Sequence, residues 1–453
     1  MVQRWVLDEI IDPFGAKVVV DRAPDGTVRE ARFDLAGLPR VDALLTGHPV
    51  AEVPSLVERL CGVCPAAHHL AGIRALESLS GGVALPTAAD LSRRLLHHAS
   101  AIATHAVRAV TTSRDDAVTL RRFAKEVTVA VGSPGHFPAT AVPGGVAVPV
   151  DAEARDRCLT LVPAALAAAV RIAERTLPVP GPVDAFTGAD VALIDEKGRP
   201  DLLGTRLRAV AADGRVVIDA AAAAEWDRLV AEAVPGDPAP RPYLLALGPE
   251  RGRYRVGPVA QLRIGGLGTP QAAALQADWS RRGGHAAAAR TVVTVHSVEA
   301  IAALLARPEL LDRRVRIDPP DRTGPGVGIG WVDGPRGLLV HRYQVAADGR
   351  VSSATVLTPT AQNEYWLAQL LRRAIDTGHD PGHPAGDPGH PAGESGRGQT
   401  GPIVELEDAI READPCLPCS SAPVGAMGLV VEETVPDAPY DPPDQVPDPS
   451  GGQ

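Results

Sequence analysis

Two pairs of thiols hold most of the chemistry this chain can do. Cys61 and Cys64 stand in Glu58-Arg59-Leu60-Cys61-Gly62-Val63-Cys64-Pro65-Ala66-Ala67-His68, and Cys416 and Cys419 in Asp414-Pro415-Cys416-Leu417-Pro418-Cys419. A C-x-x-C at a tight turn aims both thiolates at one ion. Four such sulfurs favour zinc, nickel or iron over magnesium or calcium. About 350 residues separate the pairs, far more than in a compact zinc ribbon, so a shared ion would tie the two ends of the chain together. That is a long loop to close for a structural zinc alone, although the cost grows slowly with length. His68 follows Cys64 by four residues and shares its face if a helix starts there. It reads either as an outer hydrogen-bond partner of a bridging thiolate or as a satisfied core histidine. The fifth cysteine, Cys158, reads as a buried helical thiol.

The elements that must position these groups are legible in part. Ala23-Pro24-Asp25-Gly26 between alternating segments predicts a hairpin and a small N-terminal sheet. After Cys64, Pro65 suits a first helical turn, and the residues to Leu79 repeat apolar positions at helical spacing. A long helix is expected from about Thr87, its candidate cap, to Thr112. Alanine-rich helices are expected at Leu161–Leu177, Ile218–Ala233 and Pro270–Ser280, and an amphipathic one at Thr360–Ile375. Between Val183 and Arg263, Gly214–Asp219, Tyr243–Leu247 and Tyr254–Ile264 read as strand-like pieces. Asp380–Gly386 and Asp387–Gly393 repeat the same Pro/Gly/His heptapeptide, which cannot bury a core. It reads as a solvated linker; weak nickel or zinc binding by its histidines is the lesser reading. The expected class is α+β: a mainly helical core with small mixed β-sheets, the N- and C-terminal Cys-x-x-Cys segments meeting at a buried metal site. The expected divisions are a core at 1–378, a disordered insert at 379–400, a C-terminal ligand segment of the core at 401–430, and a disordered tail at 431–453.

Composition excludes several function classes. A net charge of −10 and 3% aromatics leave no basic, stacking surface for nucleic acid. No charge-free apolar run of 18 residues predicts a membrane span, and Met1–Asp12 lacks the pattern of a signal peptide. The expected location is cytoplasmic, or exported only with a partner that carries the signal.

The cysteine motifs do not stand alone. Arg59-Leu60-Cys61-Gly62-Val63-Cys64, with His68, resembles the first signature of nickel–iron hydrogenase large subunits, and Asp414–Cys419 resembles the second. Gly132-Ser133-Pro134-Gly135-His136-Phe137-Pro138 with Val142–Val146, Asp333-Gly334-Pro335-Arg336-Gly337 with His341, and Thr358–Asn363 are similar to segments between them, in the same order. The layout is nearest to the soluble hydrogenases that exchange electrons with nicotinamide or deazaflavin cofactors. The resemblance implies a nickel held by Cys61, Cys64, Cys416 and Cys419. Cys64 and Cys419 would bridge to an iron carrying carbonyl and cyanide. It implies Arg336 over the metals, oriented by Asp414 and by Asp115 or Asp116, and His68 beside a thiolate; the aspartates also read as plain caps or surface charges. The implied reaction is heterolytic cleavage of H2, the metals taking the hydride and Cys416 or Arg336 the proton. With no further cysteine cluster, electrons would leave through an iron–sulfur small subunit and any further electron-transfer subunits.

Two departures from that pattern stand out. The N-terminal glutamate expected to start proton exit is replaced by Pro13, with Glu9 and Asp12 as substitutes nearby. Ala422 stands where the family usually has the His or Arg at which the tail is trimmed. That change also weakens a magnesium site, for which Asp42 is the other candidate ligand. Two alternatives stay open: a hydrogen-sensing or non-turnover relative that binds metal, and a structural zinc protein with a four-cysteine site.

Overall fold

Apolar residues at helical spacing build a bundle around one helix that has no polar face. The computed structural model describes residues 15–34, 41–82, 84–179, 184–237, 239–317, 325–378, 402–415 and 427–434. The central helix, α7 (Ala286–Leu305), packs against α2 (Thr87–Arg108) and α4 (Ala152–Thr176). The helix α3 (Arg114–Ala130) fills the gap between α2 and α4. Among the described residues α7 alone is long and apolar enough to cross a membrane by length and composition. Arg290 and Glu299 interrupt it, and most of it is buried by the bundle, which is how a core helix reads.

Three sheets of three or four strands stand around the bundle, beside two two-stranded ones among the described residues. At the N-terminus β1 (Gly15–Arg22) and β2 (Val28–Phe33) form the expected hairpin, with Gly26 at φ +84° in its turn. Near the other end of the chain β10 (Gly428–Thr434) pairs in parallel with β1, Gly15 opposite Gly428. The first and last described strands therefore pair, and β10 runs four residues past the boundary set at 430. A second sheet joins β3 (Ala189–Ile194), β4 (Arg206–Val210) and β5 (Val216–Ala222), with β6 (Tyr254–Arg255) on its edge. The third is an antiparallel meander of β7 (Gly326–Gly334), β8 (Gly337–Val345) and β9 (Val351–Leu357). The helix α1 (Pro65–Leu79) lies against β7 and β8. The helices α8 (Glu364–Gly378) and α9 (Pro402–Ala413) pack together beside β2.

Several local expectations change. Ile218–Ala233 is not a helix: its first part is β5, paired with β4, and its last part is a short strand, Val230–Glu232. Alanine content favours a helix there, but pairing with β4 and a positive φ at Ala220 override it. Of Tyr254–Ile264 only the first two residues are a strand; Pro258–Ile264 is the helix α5. Thr87 is the first helical residue, and Pro86 occupies the cap position. The helix at Leu161–Leu177 starts earlier, at Ala152, capped by Asp151 accepting from the Ala154 amide. The insert at 379–400 lies outside the described residues.

Candidate metal centre

The first cysteine pair sits where the loop before α1 meets α2. Pro65 opens α1 at a position where its missing N–H costs nothing. Cys64 occupies the cap position, and the Thr104 hydroxyl on α2 donates to Val63 O at 3.2 Å. Both cysteines are buried, with their Sγ atoms 2.9 Å apart. The Cys61 thiol is pulled down to about 6 by its hydrogen bond with Cys64 and, against burial, by the charge of Arg336. A ring nitrogen of His68 and the two sulfurs all lie within 4.8 Å of one another. Soft, buried, readily ionised sulfurs of this kind fit a nickel or iron ion, as they would zinc.

Arg336 reaches the pair from the turn between β7 and β8. Gly337 makes that turn possible. It holds φ +130°, and a Cβ there would fall 2.6 Å from the Gly257 nitrogen. His97 and His105 on α2 donate from Nε2 to Asp333 O (2.9 Å) and Pro335 O (2.8 Å), so two histidines clamp the turn. Burial keeps both imidazoles neutral, at about 4. The Gln362-Asn363 segment braces the other side. Gln362 Nε2 donates to Leu338 O, and Asn363 exchanges hydrogen bonds with both main-chain groups of Val256.

Asp414, at the end of α9, closes the site. Its Oδ1 accepts from Arg336 Nε at 2.9 Å and from Arg108 Nη2. Burial works against its ionisation, but Arg336, Arg108 and Arg290 hold it well below the usual carboxylate range. Its φ is +53°, in the left-handed region. This described stretch stops at Pro415, one residue before Cys416. Cys416, Cys419 and Ala422 lie outside the described residues, as do Glu9, Asp12 and Pro13. Asp42 falls in the short helix Val41–Leu45, its side chain outside the described part.

The site residues read from sequence divide accordingly. Cys61, Cys64, His68, Arg336 and Asp414 come together. Asp115 and Asp116 do not join them: Asp115 is exposed at the start of α3, and Asp116 is held by Arg171 and Arg175 of α4. Asp414, the carboxylate that does hold Arg336, is shared with Arg108, which no motif signalled. Sequence reasoning also passed over His105, and over Tyr343 two residues beyond His341 on β8. The alternation His-Arg-Tyr on a buried strand was the available clue for Tyr343. Cys158 is a core thiol as expected, 1% exposed and pushed up to about 11 by burial.

A cavity of about 650 Å³ opens beside the pair, with Gly62, Val63, Arg336, Lys125 and His136 among the residues that line it.

Comparison with known proteins finds hydrogenases. The family model of nickel-dependent hydrogenases matches residues 40–113, the stretch holding the first cysteine pair and α2. The chain is 27% identical to the NAD-reducing hydrogenase HoxS subunit beta of Cupriavidus necator, over 95% of this chain and 97% of that protein. The crystal structure of an NAD+-reducing nickel–iron hydrogenase in the H2-reduced state superposes with a TM-score of 0.76. It is 27% identical and covers 88% of this chain and 94% of its own. The reduced nickel–iron–selenium hydrogenase of D. vulgaris Hildenborough shares the fold alone, at 18% identity and TM-score 0.60, over 88% of this chain and 95% of that one.

Proposed function

We propose that this chain, similar to the large subunits of nickel–iron hydrogenases, is the catalytic subunit of a hydrogenase that cleaves H2 reversibly at a nickel–iron centre. The observation that carries this reading is the convergence of three separate segments. The Cys61/Cys64 pair, the Arg336 turn and Asp414, two residues before Cys416, meet in one buried place.

In this reading Cys61 and Cys64 supply two sulfurs, and Cys416 and Cys419 supply the other two. The metal pair, with carbonyl and cyanide on its iron, supplies a Lewis acid able to polarise H2 and change redox state. The protein does the rest. Arg336 stands beside the sulfurs as a fixed positive charge, and its planar fork can donate to a cyanide nitrogen. Asp414 holds that guanidinium through Nε and so sets the direction of its remaining N–H groups. The proton from H2 is received at Cys416 Sγ or beside Arg336. Electrons leave through an iron–sulfur small subunit, since the five cysteines of this chain provide no cluster of their own beyond the centre. Likeness to an NAD-reducing subunit supports a nicotinamide as the eventual acceptor, reached through further subunits. A cytoplasmic location and, apart from the boundary at 430, the domain limits read from sequence belong to this proposal as well.

The test is metal counting with infrared spectroscopy on the complex isolated with its partner. Nickel and iron near one each, with carbonyl and cyanide bands lost in Cys416→Ala, support the reading. Zinc alone would replace it with a structural site. Metals and bands without H2-dependent dye reduction would leave a sensor.

A further inference from the structure

Behind the cysteine pair a buried line of three side chains runs into the meander. His68 Nδ1 lies 3.1 Å from His341 Nε2, and His341 Nδ1 lies 2.5 Å from the Tyr343 hydroxyl. The strand period places His341 and Tyr343 on the face of β8 that meets α1. Glycines on β7 make room for this. Gly330 stands opposite His341, and Gly328 opposite Tyr343. A Cβ on Gly330 would fall 2.1 Å from Ala71 O, and one on Gly328 2.3 Å from Ala75 O. The helix therefore seats directly on the backbone of β7, which brings His68 to His341.

The direction of the hydrogen bonds along this line is determined by its closed end. Tyr343 is fully buried among Leu45, Val53, Val57 and Ala75, and His341 is its one hydrogen-bond partner among the described residues. If Tyr343 donates to His341 Nδ1, then His341 carries its hydrogen on Nε2 and donates to His68 Nδ1. His68 must then carry its own hydrogen on Nε2. In the reverse arrangement His341 donates to the phenol, and the Tyr343 hydrogen is buried with nothing to accept it, at the full desolvation cost of an unmade bond. A ring that accepts at Nδ1 is the neutral form with its one hydrogen on Nε2, so the two contacts fix the placement on both rings.

We infer that Tyr343 is a positioning residue: through His341 it fixes His68 in the Nε2–H form, so that His68 offers the neighbouring Cys61 and Cys64 a donor at Nε2 and has no free lone pair left to act as a metal ligand. The grouping of Cys61, Cys64 and His68 within 4.8 Å looks like a three-ligand metal site. The line behind it assigns the histidine the other role. A donor to sulfur lowers the electron density on a thiolate and fixes its orientation, whereas a ligand would compete for the ion. This role toward sulfur rests on the proposed metal centre; the tautomer itself does not.

Solid-state 15N spectra of the full chain labelled in histidine test this, before and after metal loading, with His68→Gln and His341→Gln giving the assignments. The expected result is a protonated Nε2 and an unprotonated Nδ1 on both rings. In Tyr343→Phe the lock is gone, and the two His68 nitrogens should shift toward each other as tautomers mix. A protonated His68 Nδ1 in the wild-type chain overturns the inference without any variant. So does an unchanged His68 spectrum in Tyr343→Phe, or a metal-induced shift of His68 Nε2 showing coordination. Nickel and iron counted on the same samples separate failure of the metal reading from failure of the tautomer assignment.

Discussion

Replacing Asp414 by asparagine removes one charge from the most closely knit group in the site while leaving its shape. Asparagine adopts positive φ readily, so the +53° at this position does not confound the result. What changes is the partner of two guanidiniums. Arg336 is 3% exposed in its side chain, and Arg108 is 21% exposed. Deleting one partner of a buried ion pair costs about 3–5 kcal/mol, because the surviving charge stays buried. Arg108 recovers part of this from solvent, so the lower end, ~3 kcal/mol, applies. With an unfolding entropy of about 2.1 cal/mol/K per residue, that is a loss of roughly 3 °C in Tm for a chain of this size. The catalytic effect should be larger. Arg336 loses the anchor on its Nε, and misplacing such a group by about 1 Å costs on the order of a hundredfold in rate. The assay is H2-dependent dye reduction alongside a melting curve, with metal content matched. Arg108→Gln is the control: it keeps the bond between Arg336 and Asp414 and should lose far less rate. Full activity in Asp414→Asn with the metals in place would refute the role given to this pair. Acid should act in the same sense. The folded carboxyl ionises below its unfolded value near 3.9, so its stabilisation is present above that pH and fades as pH falls below it.

Three further outcomes follow from the surroundings of the site. Asp333 is fully buried, and its carboxyl is pushed up to about 7 by burial, above the unfolded value near 3.9. Its ionisation therefore removes stability as pH rises from about 4 to about 7; Asp333→Asn should raise Tm at pH 8 and leave it unchanged at pH 4, and equal shifts at both would contradict this. Gly330→Ala drives a Cβ into the α1 backbone and should cost several kcal/mol by thermal unfolding. Gly326→Ala meets only Leu79 Cδ2 at 3.6 Å and should be close to neutral. His105→Leu leaves Pro335 O without its donor and should cost about 1–3 kcal/mol. His105→Gln should restore part of both stability and dye reduction, and no difference between the two variants would exclude the clamp on the Arg336 turn.

Where the sequence was readable, one local signal sufficed; where it was not, the answer lay in how one element packs on another. The hairpin of β1 and β2, the start of α1 at Pro65 and the helices at Pro270–Arg281 and Glu364–Gly378 each follow from turn chemistry or a single apolar stripe. The helix α7 is mostly buried and has no sharp stripe to find, so its place at the centre of the bundle was illegible. β5 shows the opposite failure: its alanines speak for a helix, and only β4 makes it a strand. The site divides along the same line. Cys61, Cys64, His68, Arg336 and Asp414 sit in short motifs whose residue types announce their chemistry. Asp115 and Asp116 had equally good types, yet α4 presents Arg171 and Arg175 to Asp116 first. Arg108 carries no motif, and its importance comes from the turn of α2 that faces Asp414 across 306 residues of chain. Tyr343 is the limiting case. Its hydroxyl matters because everything else around it is apolar, so that one hydrogen has one place to go. A residue's power to orient a site thus grows with what its neighbours lack, and that quantity is a property of packing which no motif records.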